Sequence, residues 1–401
     1  MENLFIARQP IYDLKQTVMG YELLYRNGDV DKAIFEDANQ ASCETIINTF
    51  MHIGIDNLIG SALAFINLPY DFLIFESLTP MFKEQTVLEI LEDIEPTPET
   101  IEGIKRLKYQ GYRIALDDFE YDDKFIPFLE LADFIKIDIL DKDKATIQQQ
   151  HNNISKYDAI VIAEKVETQQ MYTLCKDVGF EYFQGFFFCR PQLVKQKHVP
   201  ANKAVALNLL NKLQNPDIDF DELESILAQD VAMSYKFLRY INSAAFSLRR
   251  EIDSIKDAIT LLGLSNTKNW VSMILMSRSV DSKPDELIAT AMIRGKMCEL
   301  LAEQQKPAIK SQMFIVGLFS VLDALMDMEM IDLLDNIILS MPIKLALLDH
   351  SGDHGAILEQ VLQYEQFCWD ELMKTGIKSS VFTESYLEAV NWTKAQMASL
   401  S

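Results

Sequence analysis

Up to about residue 190 the sequence alternates short β-like runs with longer helical stretches, and beyond that point the β-like runs almost vanish. The runs are Gly20 to Tyr25, Ala64 to Leu68, Val87 to Leu91, Arg113 to Asp117, Phe134 to Ile137, Ile160 to Ala163 and Tyr182 to Phe187. They are rich in the β-branched and aromatic side chains that pack on a pleated surface. Parallel strands need long crossovers between them, so this rhythm predicts β/α units around a parallel sheet. The stretches Pro98 to Gln110 and Thr168 to Val178 are long enough for helices, and each is followed by a glycine, Gly111 or Gly179, as a helix C-terminus prefers. Seven or eight such units predict a closed barrel of the TIM-type (β/α)8 class, in a lean variant at the lower end of the usual size.

A chain of 401 residues exceeds one ordinary core, which leaves room for a second domain. The polar stretch after Arg190-Pro191, through Lys195, Lys197, His198 and Pro200, breaks the alternation, and the expected partition is 1–195 and 196–401. Helical periodicity governs the second part. Ile255, Ala258, Ile259 and Leu262 share one face, Ser254 and Asp257 can form a capping box, and Gly263 closes the segment. Trp270, Met273, Ile274 and Met276 read as the core face of a helix, with Met filling gaps, and the run Phe314 to Leu322 as a buried helix. The fold class expected is therefore α/β followed by all-α.

Charge excludes some functions. Thirty-seven Lys and Arg against 60 Asp and Glu give a formal charge of −23, a field that repels nucleic acid and anionic membranes. No direct nucleic-acid contact is expected, and an anionic ligand would need local cations. Five scattered cysteines with no C-x-x-C spacing point away from disulfides and structural zinc and towards a reducing cytoplasm. No run approaches the ~18 apolar residues of a spanning helix, so no membrane span is expected.

The first half places acidic and amide side chains at the C-terminal ends of its β-like runs, the rim where β/α barrels keep their reactive groups. They are Glu22, Asn67, Glu89, the pair Asp117-Asp118, Lys136 with Asp138, and Glu164 with Glu167. Any one acidic residue after a strand is more often a helix cap or a solvated loop carboxylate. The joint set is not explained that way, because converging like charges are costly unless a cation neutralises them. Such a set can hold two hard cations about 3.5–4 Å apart, which together activate water and neutralise a phosphate. All-oxygen ligands suit Mg or Mn. A nearby lysine can orient the water or stabilise charge on the phosphate.

These residues resemble the EAL phosphodiesterase domains over roughly residues 1–192. Gly20-Tyr21-Glu22-Leu23-Leu24-Tyr25-Arg26 is similar to the name-giving E-A-L-L-R segment, with Leu23 in place of Ala. The resemblance implies Glu22, Asn67, Glu89, Asp117, Asp118 and Glu164 as metal ligands and Lys136, Glu164 and Glu167 as catalytic residues. It implies Arg26, Asp138 and Gln184 as ligand contacts, with cyclic di-GMP as ligand and the linear dinucleotide as product. Active members carry a D-D-F-G-T-G loop, whereas this chain reads Asp117-Asp118-Phe119-Glu120-Tyr121-Asp122. Loss of both glycines removes cheap access to positive φ and puts the second metal in question. Glu92 corresponds to the loop-anchoring Glu of the family, and Lys165 stands where A-E-G-V-E has Gly. That lysine either substitutes in part for a metal or blocks the site.

Residues 198–390 resemble the HDOD domain, in Asp230-Val231-Ala232-Met233-Ser234, Leu238 to Ala244, Ser254 to Ile259 and Leu262-Gly263. Related HD phosphohydrolases chelate metal through several His and Asp residues, whereas this chain has five His in all and no His-Asp pair. His198, His350 and His354 are read as surface or loop residues and this half as non-catalytic. The resemblance therefore implies a cyclic di-GMP signalling regulator whose barrel binds, and at most weakly hydrolyses, the nucleotide, with the helical half as output to a protein partner. The alternative is an active metal-dependent phosphodiesterase. Barrels of this kind usually pair, so a homodimer is expected.

Overall fold

The structure is a computed structural model that describes residues 4–27, 58–74, 83–189, 201–215, 217–228, 231–242, 252, 254–278 and 283–400. The polypeptide starts with a hairpin of β1 (Leu4–Asp13) and β2 (Val18–Asn27). Its turn is held by the Asp13 carboxylate, which accepts the N–H of Lys15 and of Thr17 at 2.8 Å each. β3 (Leu63–Leu68), α1 (Tyr70–Ile74), β4 (Thr86–Ile90), α2 (Pro98–Tyr109), β5 (Arg113–Leu116), α3 (Ile126–Leu129), β6 (Phe134–Asp138), α4 (Lys144–Ile154), β7 (Ile160–Glu164), α5 (Gln169–Val178) and β8 (Tyr182–Gln184) follow. The eight strands close into a barrel in chain order.

From β2 to β8 neighbouring strands run parallel, as the alternation predicts, but β1 is antiparallel to both β2 and β8. This strand is not visible in the sequence pattern, because Arg8, Gln9 and Pro10 interrupt its apolar alternation. Pro10 is tolerated because β8 pairs only with Ile11 to Asp13, beyond it. The two helices expected from residues 98–110 and 168–178 are present, and the glycines that follow, Gly111 and Gly179, take φ of 95° and 117°. Thr97 and Thr168 cap their N-termini.

Ile11, Phe65, Val87, Ala115, Phe134 and Ile162 form an apolar layer inside the barrel, with Phe65 and Phe134 edge to face at 5.1 Å. Side chains two apart on a strand face the same way. The residue two further on therefore points into the same interior, nearer the C-terminal rim: Asn67 above Phe65, Glu89 above Val87, Asp117 above Ala115, Lys136 above Phe134, Glu164 above Ile162. On β1, which runs oppositely, the residue above Ile11 is Gln9. Gly20 leaves room for this layer, since a Cβ there would lie 2.8 Å from the Phe65 ring.

The chain divides into two compact units, 1–190 with 364–383, and 191–363 with 384–401. Within the first, Phe5 of β1 stacks on Trp369 at 4.8 Å and packs near Tyr364 and Phe382, and the Tyr364 hydroxyl donates to the Ile6 carbonyl. The elements among the remaining described residues are helices: α6 (Ala201–Gln214), α7 (Phe220–Ala228), α8 (Val231–Ile241), α9 (Ile255–Leu262), α10 (Leu264–Arg278), α11 (Asp285–Gln305), α12 (Lys310–Phe319), α13 (Leu322–Met326), α14 (Met330–Asp335), α15 (Met341–Asp349), α16 (Gly352–Glu365), α17 (Trp369–Lys374) and α18 (Ser379–Leu400). Ser254 caps α9 through the Asp257 N–H. Trp270, Met273, Ile274 and Met276 are buried, as their spacing predicts. The run Phe314 to Leu322 is buried throughout except at Ser320, where it breaks: the Ser320 hydroxyl bonds back to the Gly317 carbonyl at 2.7 Å, and a new helix begins at Leu322. No helix among the described residues is long and apolar enough to cross a membrane.

Candidate functional site

The polar layer above the barrel core converges on one side chain. The Lys136 ammonium, fully buried, lies 3.0 Å from Glu22 Oε2, 2.8 Å from Glu89 Oε1, 2.7 Å from Asp117 Oδ1 and 2.8 Å from Glu164 Oε1. An ammonium has three protons to donate and here faces four carboxylates, so it cannot satisfy them all. Ionised, the five groups would carry −4 + 1 = −3. Glu89 Oε2 and Glu164 Oε2 are buried without a hydrogen-bond partner.

Burial pushes the Glu164 carboxyl up to about 8, with Lys136 opposing and Asp117 and Glu22 adding to the rise. Burial also raises Glu89 well above the usual carboxylate range, against the pull of Lys136. Lys136 shows the reverse balance: burial alone would lower it, but the surrounding carboxylates hold it well above an ordinary lysine. With no further cation, protons on the glutamates are the cheapest way to reduce the charge.

Gln184, at the end of β8, donates from Nε2 to Glu22 Oε2 at 2.6 Å and to Gln9 Oε1 at 2.9 Å, so that it shares with Lys136 the same oxygen of Glu22. Asn67 lies in register with Glu89 on the neighbouring strand. A second cluster sits at the ends of β5, β6 and β7. The Lys165 ammonium is 3.1 Å from both oxygens of Asp118 and 2.6 Å from Asp138 Oδ2. Asp118 and Lys165 hold φ of 42° and 55°, the left-handed region that non-glycine residues enter at a cost.

The loop that lacks the two glycines is held by other means. Phe119 N–H donates to the Lys136 carbonyl at 2.8 Å, the Phe119 ring meets Phe125 edge to face, and Glu120 pairs with Lys142 at 2.8 Å. Glu92 is exposed and lines a cavity of about 280 Å³ under this loop, with Asp118, Phe119, Glu120 and Phe125. Glu167 is exposed and is not brought into either cluster. The side chain of Arg26 lies outside the described residues, as does His198. His350 pairs with Glu359 at 2.6 Å, and His354 is buried against Gln312 at 2.7 Å.

Two features escape a reading from sequence. Gln9 belongs to the strand that the alternation did not reveal, and its only signal is its position two residues before Ile11. The joint capture of Asp118 and Asp138 by Lys165 needs three strand ends brought together, which no local spacing encodes.

As the side chains stand, no three His, Cys, Asp or Glu among the described residues are arranged to hold a metal ion, because the Lys136 ammonium takes the centre. The chemistry of the donor set nonetheless fits a hard cation, since it is all oxygen and two of its buried carboxylate oxygens have no partner.

A closed barrel with a ring of carboxylates above its core, joined to an all-helical unit, defines a two-domain class of protein in which a β/α-type barrel precedes a helical module. The EAL domain matches residues 77–191 and the HDOD domain residues 199–333, in that order. The chain is 32% identical over 402 residues to the cyclic di-GMP phosphodiesterase CdgJ of Vibrio cholerae, covering 98% of this chain and 93% of that protein. It is 34% identical over 404 residues to the uncharacterized protein YuxH of Bacillus subtilis, covering 97% and 98%. The calcium and cyclic di-GMP complex of BlrP1 from Klebsiella pneumoniae matches at TM-score 0.39 and 22% identity, over 47% of this chain and 56% of that one, less than two thirds of its length. The protein belongs to the EAL–HDOD family. Glu22 and Asn67 lie ahead of the matched EAL range, so their place in the site rests on the barrel geometry.

Proposed function

We propose that this protein is a cyclic di-GMP signalling regulator, in which the module of residues 1–195 binds the nucleotide above the carboxylate layer and hydrolyses it weakly at most. The observation that carries the reading is the buried set Glu22, Glu89, Asp117 and Glu164 around Lys136. Four carboxylates around one ammonium are poor stabilising design, and a cation-assisted phosphate site is the economical explanation.

Glu22, Asn67, Glu89, Asp117 and Glu164 are the residues that would hold Mg or Mn, and Asp118 would join them only where Lys165 releases it. A hard cation there would supply charge neutralisation at the phosphate and acidify water. Lys136 sets the geometry of the carboxylates and adds fixed positive charge beneath the phosphate. Burial pushes the Glu164 carboxyl up to about 8 in the cation-free site, and that proton would leave as a cation enters. Gln184 positions Glu22, and Arg26 and Asp138 are assigned to the ligand. Glu167 is assigned a part in turnover through its place three residues after Glu164, and Glu92 the anchoring of the loop above the cavity.

Residues 196–401 form the output module, which contacts a protein partner, and the working unit is a cytoplasmic homodimer. The second reading is an active phosphodiesterase giving the linear dinucleotide; the presence of every acidic side chain and the name of the Vibrio relative favour it. Purified protein with cyclic di-GMP and Mn or Mg, assayed for bound nucleotide and linear product beside Glu22→Ala, separates the two. Binding with little product supports the regulator, and rapid turnover abolished in Glu22→Ala supports the enzyme. Neither binding nor product removes both.

A further inference from the structure

We infer that Lys165 is a built-in cation that replaces one of the two divalent ions such a site could hold, so that the barrel takes up a single divalent cation. The inference rests on the functional reading above in treating the Lys136 cluster as the place where that ion enters.

Lys165 engages both carboxylates on its side of the rim. Both oxygens of Asp118 face its ammonium at 3.1 Å, and Asp138 Oδ2 lies 2.6 Å away. The remaining Asp138 oxygen, Oδ1, accepts the Leu140 N–H at 2.8 Å. Every oxygen of the two carboxylates already has a partner, so a divalent ion sharing them would sit beside the ammonium against direct repulsion.

Charge bookkeeping points the same way. With every carboxylate ionised, as cation binding requires, Asp118 and Asp138 with Lys165 carry −1, whereas the four carboxylates with Lys136 carry −3. One divalent ion on the Lys136 side brings the two halves to the same charge of −1. A second on the Lys165 side would make that half positive. The two orphaned buried oxygens, on Glu89 and Glu164, also belong to the Lys136 side.

The backbone argues that the pairing is specific. Asp118 and Lys165 both sit at positive φ, and such conformations persist only where the surroundings over-determine them. Each is a partner of the other, so the ion pair joins the two strained residues across β5, β6 and β7. Lys165 is exposed, yet at a backbone position that suits glycine its ammonium is held on two half-buried rim aspartates, the placement of a fixed cation at the mouth of the site.

The test counts ions without reference to turnover. Mn(II) is titrated into the full-length protein and free Mn(II) is followed by its electron paramagnetic resonance signal. The wild type is expected to bind close to one ion per chain. Lys165→Gly, whose backbone accepts positive φ, is expected to bind close to two, and Lys165→Met, which keeps the apolar stem and loses the charge, is to do the same should the glycine variant fold poorly. Two ions in the wild type, or one in wild type and both variants alike, overturns the inference while leaving the metal-assisted reading of the site intact. No bound Mn(II) in any of the three overturns both.

Discussion

Removing the Lys136 charge tests the reading of the site most directly. Lys136→Met keeps most of the buried volume and leaves Glu22, Glu89, Asp117 and Glu164 facing one another around an apolar stem. Deleting one partner of a buried ion pair costs about 3–5 kcal/mol, because a charge is left uncompensated. At roughly 2–4 °C per kcal/mol for a unit of this size, the barrel should melt about 6–20 °C lower in chelator at pH 8. Trp369 packs on Phe5 within the barrel unit and makes a local reporter once Trp270 and Trp392, which belong to the other unit, are replaced by Phe. The sign with pH is fixed by the mechanism. Carboxyls raised in the folded state stabilise it below their ordinary titration range and lose that contribution as pH rises through the raised value. The deficit of Lys136→Met should therefore shrink towards pH 5, and Mn(II) should restore more melting temperature to the variant than to the wild type. A variant that melts within about 2 °C of the wild type at pH 8, or a deficit that does not change with pH, refutes the account of Lys136 as the counter-charge.

Glu164→Gln imitates the protonated carboxyl that burial favours up to about pH 8. Between about pH 5 and 8, in chelator, wild-type barrel stability should fall more steeply than that of the variant, by about 1.4 kcal/mol per pH unit; parallel denaturant-midpoint curves would count against it. Trp369→Ala removes a ring stacked on Phe5 and should cost the barrel unit about 3–5 kcal/mol by calorimetry, even though residue 369 lies far beyond the barrel in sequence. An unchanged barrel transition would show that residues 364–383 do not stabilise the barrel.

The legible part of this protein is the part with a short period. Once Phe65, Val87, Ala115, Phe134 and Ile162 are read as the inward layer, the rule that residues two apart share a face carries Asn67, Glu89, Asp117, Lys136 and Glu164 into one ring, and the barrel closes around them. That is why nearly the whole carboxylate set could be named from spacing. Lys136 itself shows where the rule stops: periodicity places it inside, but only the convergence of Glu22, Glu89, Asp117 and Glu164 makes it the centre of the charge. β1 escaped because its one exposed signal, Pro10, speaks against a strand unless the reach of β8 is known. The return of Tyr364, Trp369 and Phe382 to the barrel unit escaped because an apolar residue in a helical sequence does not say which core it enters. Lys165 escaped for a third reason. In the chain it is one lysine where the family has glycine; in space it ties Asp118, just past the end of β5, to Asp138, at the end of β6, with positive φ at both Asp118 and Lys165. Stability alone gives no account of that strain, whereas a site that needs fixed positive charge at its rim does. The substitution that looks from sequence like damage to the site is therefore better explained as the replacement of a mobile ion by a tethered one.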